Sequence, residues 1–109
     1  MLFRSRKMMV LLLSFDLPRN TKEERKKAAE YRKRLVELGF DMKQYSLYER
    51  EVESDTTKDH LIGILKKEIP DDGMIILYLL PDEVNNKQIN ILGPDAPMKA
   101  VSVPKVIVV

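Results

Sequence analysis

The 109-residue chain contains no cysteine, one histidine and four glycines. Without cysteine, neither a disulfide framework nor a thiolate metal site is available, so packing alone must hold the fold, and an intracellular, cytoplasmic setting is expected. The four glycines, at positions 39, 63, 73 and 93, are scattered. They read as element ends or single helix positions and supply no glycine-rich ligand loop, which ranks a ligand-sensing domain last among the functional readings. The longest apolar run, Met8 to Phe15, falls far below the roughly 20 residues needed to cross a bilayer, so no membrane partner is expected. Arg4, Arg6 and Lys7 ahead of it imitate the start of a signal peptide, but Asp16 interrupts and no small-residue cleavage site follows.

With 44% hydrophobic residues, the chain can build one compact core and is too short for two. Its charge is uneven. Residues 1–50 hold thirteen Lys/Arg against seven Asp/Glu, whereas residues 51–109 hold six against ten. The basic half is where a polyanion would bind, although a solvated helix face explains the same excess.

Met9 to Asp16 reads as a strand with apolar residues on both alternating faces, buried on both sides and kept from continuing by Pro18. It delivers one carboxylate, Asp16, to the rim of the core. Thr21-Lys22-Glu23-Glu24 is a capping box that starts a helix running to about Leu38, with Gly39 as its stop. Ala28, Tyr31, Leu35 and Leu38 share its inner face, and Lys22, Lys26 and Lys33 point outward. Phe40 to Val52 is too long for one flat strand and reads as two pieces joined near Gln44 to Ser46. Ser54 to Thr57 caps a second helix carrying Leu61, Ile62, Leu65 and Ile69 and ending at Pro70. Met74 to Leu80 is expected to form another strand buried on both faces, and Gln88 to Leu92 a short fifth strand before Gly93-Pro94.

This order predicts an α+β, ferredoxin-like βαββαβ sandwich over residues 1–93, with two helices on one face of an antiparallel sheet. Residues 94–109 form a tail whose apolar end, Val101 to Val109, is expected to add an extra C-terminal strand to a partner. No third helix is available for the second sheet face. A second copy stacked sheet to sheet supplies the cover, giving a twofold homodimer.

The run Val10 to Pro18, then Thr21 to Arg25, Arg32-Lys33, Leu38-Gly39-Phe40 and above all Gln44-Tyr45-Ser46-Leu47-Tyr48, resembles the CRISPR-associated Cas2 family, most closely its members from type II loci. The resemblance spans most of Met8 to Gly93. It implies a homodimer that bridges dimers of the Cas1 integrase and captures duplex DNA for spacer acquisition in antiviral defence, and it implies a possible magnesium-dependent nuclease. Asp16 would then be the catalytic and metal-binding residue, donated by both subunits to Mg2+ or another hard divalent cation. From the residues alone, Asp16 reads first as a turn acid accepting backbone N–H bonds ahead of Pro18, and it is the resemblance that reverses the preference.

Magnesium prefers about six oxygens, so one aspartate per chain is insufficient and any cleavage would need the dimer and run slowly. The lone histidine, His60, lies on the second helix as a surface residue and offers no general base. Arg19, Lys22, Lys26, Arg32, Lys33 and Lys43 are the candidate nucleic-acid contacts. Tyr45 and Tyr48 suit base stacking in an RNA binder, or packing. The alternative function is a stand-alone, metal-dependent endoribonuclease of the toxin type, acting on RNA rather than duplex DNA.

Overall fold

The structure, a computed structural model, describes residues 8–93. Arg4, Arg6, Lys7 and the tail strand expected at 101–109 lie outside the described residues. The elements are β1 (Met9–Asp16), α1 (Lys22–Glu37), β2 (Asp41–Gln44), β3 (Leu47–Val52), α2 (Asp55–Lys67), β4 (Met74–Pro81) and α3 (Asp82–Asn85). All pairings are antiparallel, and the sheet order is β2-β3-β1-β4. This is the expected ferredoxin-like arrangement, with the most apolar strand near its centre.

Local chemistry sets the boundaries. Glu24 N–H donates to Thr21 Oγ1 at 3.0 Å, while Thr21 and Asn20 N–H groups donate to Glu24 Oε1 at 3.0 and 2.9 Å. Three main-chain donors at the start of α1 are thereby satisfied. Gly39 follows the helix at φ +89°, where a side chain would also collide with Arg50. Ser54 caps α2 by accepting from Thr57 N–H at 3.2 Å.

Register decides which residues share a face. Leu11 opposes Arg50 and Leu79, Leu13 opposes Tyr48 and Leu77, and Phe15 opposes Ile75. Leu11, Leu13, Phe15, Tyr48 and Val52 join Ala28, Tyr31, Leu35, Leu61 and Leu65 from the helices in one core. Phe15 is central to it, meeting Tyr31 edge-on at 5.4 Å and stacking on Tyr48 at 5.9 Å.

Three details depart from the sequence reading. First, the expectation that β1 and β4 are buried on both faces fails within one chain. Among the described residues, helices cover only one side of the sheet; Leu12 and Ser14 are half-buried, and Met74, Ile76 and Tyr78 are exposed on the other. Their apolar character therefore marks a face that one copy leaves open. Second, the strand expected at 88–92 is absent. After Pro81 the chain turns into α3, and Lys87 and Gln88 N–H groups close the next turn on the carbonyls of Val84 and Asn85. Ile89 and Ile91 keep the alternation of a strand but join no ladder among the described residues, and both are exposed. Third, α2 ends at Lys67, so Ile69 stands beyond it in solvent. The break expected near Gln44 to Ser46 is present: a two-residue turn at Tyr45-Ser46 separates β2 from β3, with a register shift between Met42 and Gln44.

No helix among the described residues is long and apolar enough to cross a membrane.

Candidate functional site

Asp16 is the last residue of β1, paired with Met74 and exposed. Its strand neighbour Phe15 donates its N–H to the Ser46 carbonyl at 3.1 Å, which ties the β2–β3 turn to the end of β1. A cleft of about 190 Å³ opens there, lined by Asp16, Arg19, Arg32, Tyr45 and Ser46 over a floor of Phe15, Leu17 and Ala28. Three predicted residues, Asp16, Arg19 and Arg32, are thus brought together although they come from β1, the following loop and α1.

Charge and partnering distinguish these groups. Among the described residues, the Asp16 carboxylate and the Arg19 guanidinium make no hydrogen bond or ion pair. The reading of Asp16 as an acid fully used by its own turn is therefore not what the structure displays. Arg32 is engaged: its Nη2 donates to Tyr45 Oη at 2.9 Å and its guanidinium carbon lies 3.9 Å from the centre of the Tyr45 ring. Tyr45 is the residue that sequence reasoning missed as an arginine partner. The available signal was its place in a two-residue turn, where a side chain cannot join the core.

Tyr48, three positions on, does join it and is 2% exposed. Burial raises its phenol pKa first, with the Arg32 charge opposing. One tyrosine of the motif packs, and the other faces solvent.

The remaining predicted cations divide. Lys22, Lys26 and Lys33 are exposed along the outer face of α1 and carry no ion pair among the described residues. Lys43 instead lies 3.9 Å from Glu49 Oε2. It lines a separate groove across the open sheet face with Leu12, Leu47 and Gln88, so it does not reach the Asp16 cleft. His60 is exposed on α2, as expected.

Among the described residues, no three carboxylate or imidazole side chains stand together where they would hold a metal ion. One chain thus offers a hard cation a single carboxylate at this cleft, too few protein donors for a magnesium site.

Comparison with known proteins agrees with the fold and the motif. The family model described as CRISPR associated protein Cas2 matches residues 8–88. A protein of Paracidovorax avenae named CRISPR-associated endoribonuclease Cas2 is 32% identical over 87 residues, covering 80% of this chain and 81% of that one. A protein of the same name from Streptococcus mutans serotype c is 33% identical over 85 residues, covering 78% of each. A solved structure described as a crystal structure of Cas2 superposes with a TM-score of 0.57 at 19% identity, covering 92% of this chain and 99% of that one, a likeness of fold. With the family model spanning the whole sheet and both long helices, the chain belongs to the CRISPR-associated Cas2 family.

Proposed function

We propose that the chain is a CRISPR adaptation protein: a homodimeric scaffold that binds duplex DNA and bridges Cas1 integrase dimers during spacer acquisition. The observation that carries this reading is the open sheet face. Met74, Ile76, Tyr78 and Leu12 form an apolar surface on a soluble-sized domain, bordered at one end by Asp16. A second copy laid on that face would remove it from water and set two Asp16 residues and two α1 helices into one symmetric body.

The outer face of α1 supports the DNA part. Lys22, Lys26 and Lys33 occupy no ion pair that binding would have to break. Phosphates are bound by such groups without regard to sequence. Arg19 continues the stripe towards the end of β1.

A second reading is a magnesium-dependent endonuclease cutting RNA, with or without Cas1. It is supported by the names of the relatives, which are called endoribonucleases, and by an unpartnered Asp16 beside two guanidinium groups. A hard divalent cation held between the Asp16 residues of two copies would polarise a phosphodiester and lower the pKa of a bound water. Within the cleft Arg19 and Arg32 would hold phosphate charge and Asp16 would face the cation.

An Asp16→Ala protein separates the two. Spacer integration with Cas1 and duplex binding should persist in the variant, while magnesium-dependent cleavage should disappear. Loss of duplex binding by the wild-type protein in low salt would refute the scaffold; cleavage retained by the variant would refute the catalytic role of Asp16.

A further inference from the structure

Tyr45 is held in an unusual posture for a turn residue. Arg32 covers one face of the ring and fixes the phenol oxygen, yet 58% of the side chain's residue surface is exposed. No other aromatic ring lies against it among the described residues. The ring is therefore largely open to solvent, and Arg32 sets its orientation before anything binds. Tyr45 itself lines the cleft that also holds Arg19, Ser46 and Asp16.

We infer that this constellation is a seat for one unpaired nucleotide, its base stacked on Tyr45 and its phosphate held by Arg19 and Arg32. The seat presupposes the nucleic-acid-binding role proposed above and adds the form of the ligand. Bases within a duplex are already stacked on their neighbours, so an exposed ring at a cleft takes a base that has left the helix or was never in one.

The cleft, of about 190 Å³, is well above the roughly 10–15 Å³ that one water needs. It is large enough for a phosphate between Arg19 and Arg32, with the base set against the Tyr45 ring. Two guanidinium groups outweigh the single Asp16 carboxylate, so the cleft favours an anion. Arg32 contributes twice, as a charge for the phosphate and as the plate that backs the ring. Unpaired nucleotides come from single-stranded RNA or from the overhang of a duplex, and the chemistry at the seat is the same.

The test uses the full chain and four probes: a single-stranded RNA, a single-stranded DNA, a blunt duplex and the same duplex with an overhang. Each carries 2-aminopurine, whose fluorescence is quenched on stacking. Tyr45→Ala should weaken binding of probes with unpaired bases by about 5- to 150-fold, the range for losing one stacked base. It should also abolish the quenching at saturating protein and leave the blunt duplex unaffected. Tyr45→Phe should retain both signals, because the ring remains. Arg32→Lys should weaken both, because the charge survives without the plate. Binding and quenching unchanged in Tyr45→Ala overturn the seat. Wild-type protein that binds the blunt duplex but no unpaired probe also overturns it while sparing the scaffold; binding of none of the four refutes both. The RNA and overhang arms show which source is used.

Discussion

Gly73 and Asp16 touch backbone to backbone: a Cβ built on Gly73 would stand 2.6 Å from the Asp16 carbonyl oxygen and 2.8 Å from Leu17 Cδ2. Gly73 also has φ +110°, a conformation that side chains rarely adopt. The turn before β4 is thus the wall that fixes the end of β1. Gly73→Ala should lower stability by about 2 kcal/mol or more, measured by urea unfolding. It should also shift the backbone resonances of Asp16 and Leu17. An unchanged midpoint would show that the turn relaxes without cost.

The cap of α1 is a second lever. Thr21→Ala removes the acceptor for Glu24 N–H and should cost about 1 kcal/mol. Unfolding in urea measures it, and the slope against denaturant should stay unchanged because the same surface is exposed.

Much of this frame was readable beforehand. The Thr-x-x-Glu pattern, the spacing of Ala28, Tyr31 and Leu35, and the turn at Tyr45-Ser46 are local signals whose physics is complete within a few residues. What misled was apolar content without local structure. Ile76 and Tyr78 look like core residues because apolar content does not say whether a sheet face is covered within its own chain. Ile89 and Ile91 look like a strand because alternation does not state whether an edge is within reach. At the site, Asp16, Arg19 and Arg32 were legible singly as charges. The Arg32–Tyr45 stack was not, since it joins α1 to a turn across a gap of thirteen positions that no periodicity spans.

Alkaline unfolding should report Tyr31. Its hydroxyl is buried without a hydrogen-bond partner, and burial, aided by the nearby Glu68 charge, pushes its pKa to about 12. The folded state then keeps a proton that the unfolded chain releases near its ordinary value of 10.0. Stability is unaffected below that value and falls as pH rises from there towards about 12. Tyr31→Phe should remove this part of the decline and be close to neutral at pH 7, since it deletes an unsatisfied polar group and keeps the ring. Equal alkaline sensitivity of both proteins would contradict this assignment.

Glu68 provides a pH response of the opposite sign. Arg34 grips its carboxylate through Nε at 2.8 Å and Nη2 at 3.0 Å, and this hydrogen bonding holds the carboxyl below its usual range. A depressed pKa in the folded state adds stability above the ordinary carboxylate value, lost as pH falls through the lowered one. Both groups are solvent-exposed, so the gain should be small and weakened by salt. Carbon-detected NMR titration should return Glu68 to the ordinary range in Arg34→Gln.

The stripe on α1 predicts a salt signature. Removing a phosphate contact should lower the slope of log affinity against log salt by about 0.9. Lys22→Gln, Lys26→Gln and Lys33→Gln should each show this for duplex DNA. Lys43→Gln should not, because that ammonium group faces Glu49 on the sheet.

The most direct measurement is sedimentation of the full chain at micromolar concentration, beside Ile76→Lys. If two copies cover the open face, the wild-type protein sediments at twice the 12.7 kDa chain mass. Ile76→Lys should then sediment as a folded single chain. A wild-type protein that remains strictly a single chain across that range would contradict the dimer, and with it the paired Asp16 site and the bridging role.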